Sequence, residues 1–200
     1  MTAAPWPDAR QIARLRVEID EVTPAVVRRV EVPLDIRLDD LHFVLQIAIG
    51  WQNGHPFEFS VEGEETRWGV VDKGDPQSPL PADSATLVEL LAHGRKVFHY
   101  DFAFGEDWSH TVEVEAIAPA DSGTPYPHLI SAQGRCPPAD IGGAMGYETY
   151  LRAIADPLHL NHESMREWDP DFDPHVVDEA AIRTNLAGLR KYLGRRKSLP

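Results

Sequence analysis

Glu106, Asp107 and His110 lie close together around Trp108, just after Gly105 ends a run of alternating aromatic residues. Carboxylates and an imidazole where a turn enters a strand can relay a proton, orient a water molecule or bind a divalent metal such as zinc, iron, nickel or manganese. His55 and His42 can approach from earlier in the chain, and Cys136 and Asp140 from later in it. A hydrolytic metal centre needs three such ligands and an open position for water. The spacing matches no ligand motif of the His-Glu-x-x-His kind. The simpler reading packs Trp108 inward and leaves the acids and His110 as a hydrogen-bonded cluster that orients the turn, and this reading is favoured.

Other reactive-looking residues have plainer explanations. Cys136-Pro137-Pro138 presents a nucleophile only if His110 or His128 stands beside it as base; a lone cysteine more often packs as a small hydrophobe. Gly142-Gly143 with Gly146 suggests a phosphate cradle, yet lacks the Gly-Lys-Ser/Thr ending, and reads as a turn into a helix that carries Tyr147. His159 and His162 have helical spacing beside Glu163 and read as surface residues. Arg28 and Arg29 are adjacent on a strand, so they face opposite ways and form no common clamp. One is expected to pair with acids of the sheet and the other to face solvent.

The elements that position these groups follow from periodicity. Leu15, Val17 and Ile19 alternate with charged residues, as do Val30 and Val32, predicting an antiparallel hairpin across Thr23-Pro24. Leu41, Val44, Leu45, Ala48 and Ile49 have helical spacing, with Asp39 and Asp40 suited to the first turn and Gly50 to the end. Phe57, Phe59 and Val61 predict a strand, and Trp68, Val70 and Val71 another. Residues 72–83 read as an exposed loop. Ser84 is expected to cap a short helix carrying Leu87, Leu90 and Leu91. Phe98, Tyr100, Phe102 and Phe104 predict a strand that turns near Gly105 into Val112 and Val114. Pro119 to Pro127 reads as a loop. Helices follow at Tyr150–Ile154, at Glu163–Trp168, and after an Asp178 cap with Ile182, Leu186, Leu189 and Leu193 on one stripe. Most of the aromatic residues must be core.

Composition restricts the function classes. The 200 residues suffice for one sizeable core, and 42% hydrophobic with 26% charged residues is ordinary globular usage. A net charge of −13 argues against nucleic acid as partner of the body. The tail cations Arg190, Lys191, Arg195, Arg196 and Lys197 read as a solvated helix end. One cysteine permits no intrachain disulfide, and no apolar run reaches membrane-span length. A short disordered lead is expected before the Leu15 strand, and the N-terminus, with Pro5, Trp6 and Pro7, lacks a signal peptide's apolar stretch, which gives a cytoplasmic expectation.

Four ordered segments carry a resemblance. These are Thr23-Pro24-Ala25-Val26-Val27-Arg28-Arg29 with Val32-Pro33; Leu41-His42 with Gly50-Trp51, His55, Phe57 and Phe59; Tyr100-Asp101-Phe102-Ala103-Phe104-Gly105-Glu106-Asp107-Trp108-Ser109-His110; and Cys136-Pro137-Pro138-Ala139-Asp140-Ile141-Gly142-Gly143 with Gly146-Tyr147. With the closing Asp171-Phe172-Asp173-Pro174, they resemble the plasmid pRiA4b ORF-3-like family, sometimes labelled resolvase-like. The chain departs from the family pattern at Val27, where tryptophan is usual. It departs again at Ala103 and Glu106, the two aspartate positions, and at Ala139, a glutamate position. The resemblance implies an α+β fold and an association with mobile elements, but no settled chemistry.

The expectation is therefore a single α+β domain over residues 10–195, sheet-rich over 10–135 and helical over 142–195. Its sheet is mainly antiparallel, with an early helix packed on it and a C-terminal helical segment. Function is expected to be non-catalytic binding of a protein or small molecule, in a setting of mobile-element or regulatory proteins. The alternative is a hydrolase or nuclease built on Glu106, Asp107, His110 and His55 with a divalent metal. Convergence of His55, Asp107, His110, Cys136 and Asp140 on one concave pocket would favour the enzyme; scatter or a buried hydrogen-bonded cluster would favour the scaffold.

Overall fold

The structure, a computed structural model, describes residues 11–52, 54–138 and 140–196, with side chains through Leu193. The N-terminal lead, Ala139 and the side chains of Arg195, Arg196 and Lys197 lie outside the described residues.

Eight strands form one sheet: β1 (Gln11–Ile19), β2 (Val27–Pro33), β3 (Phe57–Ser60), β4 (Trp68–Gly69), β5 (Leu80–Pro81), β6 (Val97–Phe102), β7 (Trp108–Pro119) and β8 (His128–Gln133). The spatial order is β5-β4-β3-β6-β7-β1-β2-β8, and every pairing is antiparallel except β4 with β5. The helices are α1 (Leu38–Ile49), α2 (Leu87–Leu90), α3 (Gly143–Ala155), α4 (His162–Trp168) and α5 (Glu179–Arg196). Helices α1 and α5 pack against each other, with α1 also against β2 and α5 also against β8. The α+β expectation, with its early helix and helical C-terminal part, describes this architecture.

The alternation of the sequence sets the two faces. Leu15, Val17, Ile19, Val30, Val32, Val112 and Val114 are buried on the inner face. The outer face carries charge pairs: Arg14 with its register partner Glu31 at 2.9 Å, and Arg29 of β2 with Glu115 of β7 at 2.8 Å, reaching across β1. Exposed pairs of this kind contribute little stability individually, and their effect is to keep this face wet.

Arg28 differs from its expected role. It points inward opposite Val17 and is 1% exposed, yet among the described residues it forms no salt bridge with a carboxylate. Its guanidinium donates to the carbonyls of Ala48 (2.6 Å) and Ile49 (3.0 Å) at the end of α1, and to those of Gln133 (2.7 Å) and Val27 (2.9 Å). The last carbonyls of a helix lack intrahelical partners and carry the negative end of its dipole, so a buried cation is well placed there. Burial lowers the guanidinium to about 10, partly opposed by Cys136 and Glu179, so it remains charged at neutral pH.

Two local readings are corrected, and one strand was missed. The short helix α2 is capped by Thr86, in a capping box with Glu89, while Ser84 ends a preceding 3-10 turn. The loop at 72–83 contains β5. The strand missed is β8: where its pairing passes from Arg29↔Ser131 to Val30↔Leu129, Ile130 has no partner, and this bulge breaks the alternation. Its outer edge is closed by α5: Glu179 accepts from the Ala132 amide at 3.0 Å and Arg183 donates to the Ile130 carbonyl at 3.2 Å. Asp178 caps α5 as expected, through the Ala181 amide at 2.8 Å. Arg190 of the basic tail donates to the Pro125 carbonyl at 2.6 Å.

Replacing Arg28 with Met keeps side-chain length but leaves buried carbonyls of α1 and β8 without donors. The variant is expected to lose on the order of 3 kcal/mol in urea unfolding. A loss under about 0.5 kcal/mol would show that these carbonyls do not depend on Arg28.

Candidate functional site

The inner face of the sheet brings aromatic side chains into rows. Phe59, Tyr100 and His110 are successive cross-strand partners on β3, β6 and β7; Phe57, Phe102 and Trp108 form the next row. Helix α1 covers these rows with an apolar stripe that includes two polar residues, His42 and Gln46. One turn apart, both reach the same group: Gln46 donates to the Tyr100 hydroxyl at 2.8 Å, and His42 Nδ1 shares a 2.8 Å hydrogen bond with it. The His42 ring stacks on Phe57 with centroids 3.7 Å apart. All of these side chains are buried, and burial pushes the Tyr100 phenol well above its ordinary value.

His110 is 0% exposed and has both ring nitrogens engaged. Its Nδ1 lies 2.8 Å from the Tyr100 carbonyl, which can only accept, so Nδ1 carries the proton. Its Nε2 lies 3.0 Å from the indole N–H of Trp51, which can only donate, so Nε2 carries the lone pair. The imidazole is therefore neutral. Desolvation lowers it to about 4, opposed by hydrogen bonds to the backbone of Tyr100 and Trp108. The nitrogen that would bind a metal or accept a proton already accepts from Trp51.

The turn between β6 and β7 is held from both sides. Ala103 and Asp107 adopt left-handed backbone, at φ 55° and 52°, and the Glu106 and Asp107 amides both donate to the Ala103 carbonyl. Glu106 accepts from the Trp108 indole at 2.8 Å, and its other oxygen faces the Gly142 amide at 3.4 Å. Gly143, at φ 69°, packs so tightly here that a Cβ would come within 2.3 Å of the Glu106 carbonyl oxygen. Residues 142–143 thus serve as a turn into α3, close-packed against the Glu106 backbone.

The candidate residues divide into three groups. His55, Glu106 and Asp140 line one cleft of about 120 Å³, walled by Trp51, Phe102, Ala103 and Trp108. His110 lies beneath it in the core. Asp107 and Cys136 do not line it: Asp107 is exposed, and Cys136 packs against Gly50, where a glycine Cβ would lie 3.0 Å from its own. Desolvation pushes the Cys136 thiol up to about 12, despite Arg28 and Arg135 nearby, so it is not a thiolate at neutral pH. Among the described residues, no group of three or more His, Cys, Asp and Glu is arranged to hold a metal ion. His159 and His162 are used locally, the first accepting from the Asn161 amide and the second bonded to the Ala153 carbonyl.

A second concavity of about 430 Å³ adjoins the first across the ridge of His55-Pro56 and Ala103-Phe104. Phe104 was expected to continue the alternation of β6. The left-handed Ala103 ends the strand instead, leaving Phe104 47% exposed on this groove. Sequence reasoning also missed His42 and Gln46 as a pair. Their signal was present: two polar residues four apart within an otherwise apolar helical stripe.

Because His110 is held neutral in the fold and titrates near 6.5 when unfolded, its contribution to stability is complete above about pH 6.5 and is lost as pH falls through 4. From this group, unfolding free energy should fall by on the order of 3 kcal/mol between neutral pH and pH 4. A His110→Phe variant should be less stable at pH 7 and lack that part of the acid slope. Equal slopes in both proteins would contradict the assignment.

Comparison with known proteins agrees with the fold. The model of the plasmid pRiA4b ORF-3-like protein family matches residues 11–181. The uncharacterized protein y4hQ of Sinorhizobium fredii is 41% identical over 165 residues, covering 81% of this chain and 84% of that protein. The crystal structure of MM3350, a protein of unknown function from Methanosarcina mazei Go1, superposes with a TM-score of 0.76 at 28% identity, over 88% of this chain and 97% of that one. Among the described residues, no helix is long and apolar enough to cross a membrane. The chain belongs to the plasmid pRiA4b ORF-3-like protein family.

Proposed function

We propose that this protein is a non-catalytic binding module whose recognition surface is the end of the sheet around the β6–β7 turn. The observation that carries the reading is the engagement of His110. The best general-base or ligand candidate has its proton on Tyr100 and its lone pair on Trp51. Cys136 is protonated at neutral pH, which removes the thiolate nucleophile. What remains outside includes two adjacent concavities, walled mainly by the loops at this end of the sheet, the concave surface a binding site needs. A cytoplasmic setting belongs to the same proposal, resting on a single cysteine that can form no intrachain disulfide.

The competing hydrolase would have to use the trio that lines the small cleft: His55, Glu106 and Asp140. Protein purified without a His-tag is expected to hold less than about a tenth of an equivalent of any transition metal. After reloading with zinc, manganese or nickel, it should not hydrolyse phosphodiester or ester reporter substrates. Stoichiometric metal with turnover abolished by His55→Ala or Asp140→Ala, both exposed positions whose replacement leaves the core intact, would overturn the reading.

A further inference from the structure

We propose that the larger groove docks a basic, apolar segment of a partner polypeptide, with a lysine or arginine head at Asp72 and Asp75 and its neighbour's apolar side chain against Val70, Val71 and Phe104. The inference rests on the binding reading and adds the place and the partner's chemistry.

Three features carry it. The first is a cluster of exposed apolar side chains within one concavity. Val70, Val71 and Phe104 line the groove at 49%, 43% and 47% exposure, and Leu80 on the adjacent edge strand is 51% exposed. Apolar side chains gathered in a groove mark an interaction site more strongly than the same residues scattered singly.

The second is charge. Glu58, Asp72 and Asp75 face the groove against one cation, Arg67. That cation is already engaged, pairing with Glu58 at 2.7 Å and donating to the Gln77 carbonyl at 2.5 Å. Asp72 and Asp75 each use one oxygen on a turn amide, of Gly74 and Gln77 respectively, and their charge is left without a cationic partner among the groove's lining residues. An arriving cation therefore meets a net negative field, reinforced by a chain carrying −13 overall. Lysine and arginine match both features at once, with an apolar stem and a charged head.

The third is preorganisation. The loop that forms the far wall is closed by its own hydrogen bonds: the Asp72 amide to Ser78 Oγ at 2.7 Å, the Asp75 amide to the Asp72 carbonyl at 3.2 Å, and the Ser78 amide to the Asp75 carbonyl at 3.0 Å. A wall already ordered reduces the entropy lost on docking.

The test uses the ¹⁵N-labelled full chain and three probes: an amidated Arg-Leu-Arg-Leu-Arg peptide, its Glu-Leu-Glu-Leu-Glu counterpart, and spermidine. The basic peptide is expected to shift the amide resonances of Val70, Val71 and Phe104 in a salt-sensitive manner, with the acidic peptide inert and spermidine much weaker. A double variant, Asp72→Asn with Asp75→Asn, keeps the side-chain oxygens that accept from Gly74 and Gln77. It should weaken the basic peptide by at least about threefold. No shifts at about 1 mM basic peptide, shifts away from the groove, equal binding of the acidic peptide, or spermidine matching the peptide would each overturn the proposal. Those outcomes leave the broader binding reading standing, since that reading falls on metal-dependent turnover instead.

Discussion

A neutral imidazole in the middle of the sheet governs how the rest of the molecule can be arranged. His110 ties three elements through two hydrogen bonds: β7, which carries it; β6, whose Tyr100 carbonyl accepts its proton; and the segment after α1, whose Trp51 indole donates to it. Neither bond can be given up cheaply. In a site closed to water, an unsatisfied indole N–H or carbonyl costs more than a made hydrogen bond contributes. The Tyr100 side chain extends the network to α1 through Gln46 and His42. Helix and sheet are therefore fixed in one relative position by directional contacts as well as by non-directional apolar packing.

The same logic explains why so much polar chemistry in this chain has an internal role. Arg28 supplies donors to the end of α1 and to β8. Glu179 and Arg183 of α5 satisfy the outer edge of β8, which would otherwise offer unpaired backbone groups to another chain. Glu106 holds the Trp108 indole. Arg135 lies 4.7 Å over the Phe172 ring and pairs with Asp169 at 2.6 Å, tying the segment before α3 to the segment after α4. Several of the residues that look catalytic in the sequence are thus the fastenings of the fold, and the side chains left free gather at one end.

Much of the fold was legible because one side of the sheet is buried and the other wet. Alternation located β1, β2, β3, β6 and β7, and helical spacing located α1 and α5. Strand β8 was hidden because the bulge in its pairing destroys alternation around Ile130. The cap of α2 was misplaced onto Ser84, although Thr86 with Glu89 three residues on is the fuller capping signal. Arg28 was hard to read because a charged residue on a strand defaults to the solvent face, and nothing local says that a helix end lies above it. For the site, strand parity was the informative and underused clue. His110 shares the parity of Val112 and Val114, which places it inside; Asp107 follows a left-handed turn and escapes to the surface. The meeting of His55, Glu106 and Asp140 at one cleft depends on three separate loops, and no single-chain pattern encodes that.

The central claim is that His110 is a neutral, doubly bonded structural imidazole. Its ring nitrogen chemical shifts, read from long-range ¹H–¹⁵N correlation spectra through a pH titration, test this most directly. The account predicts a protonated Nδ1 and a bare, hydrogen-bond-accepting Nε2, unchanged from neutrality down to about pH 5. A proton on Nε2, or conversion to the imidazolium near pH 6.5 like an ordinary exposed histidine, would contradict it.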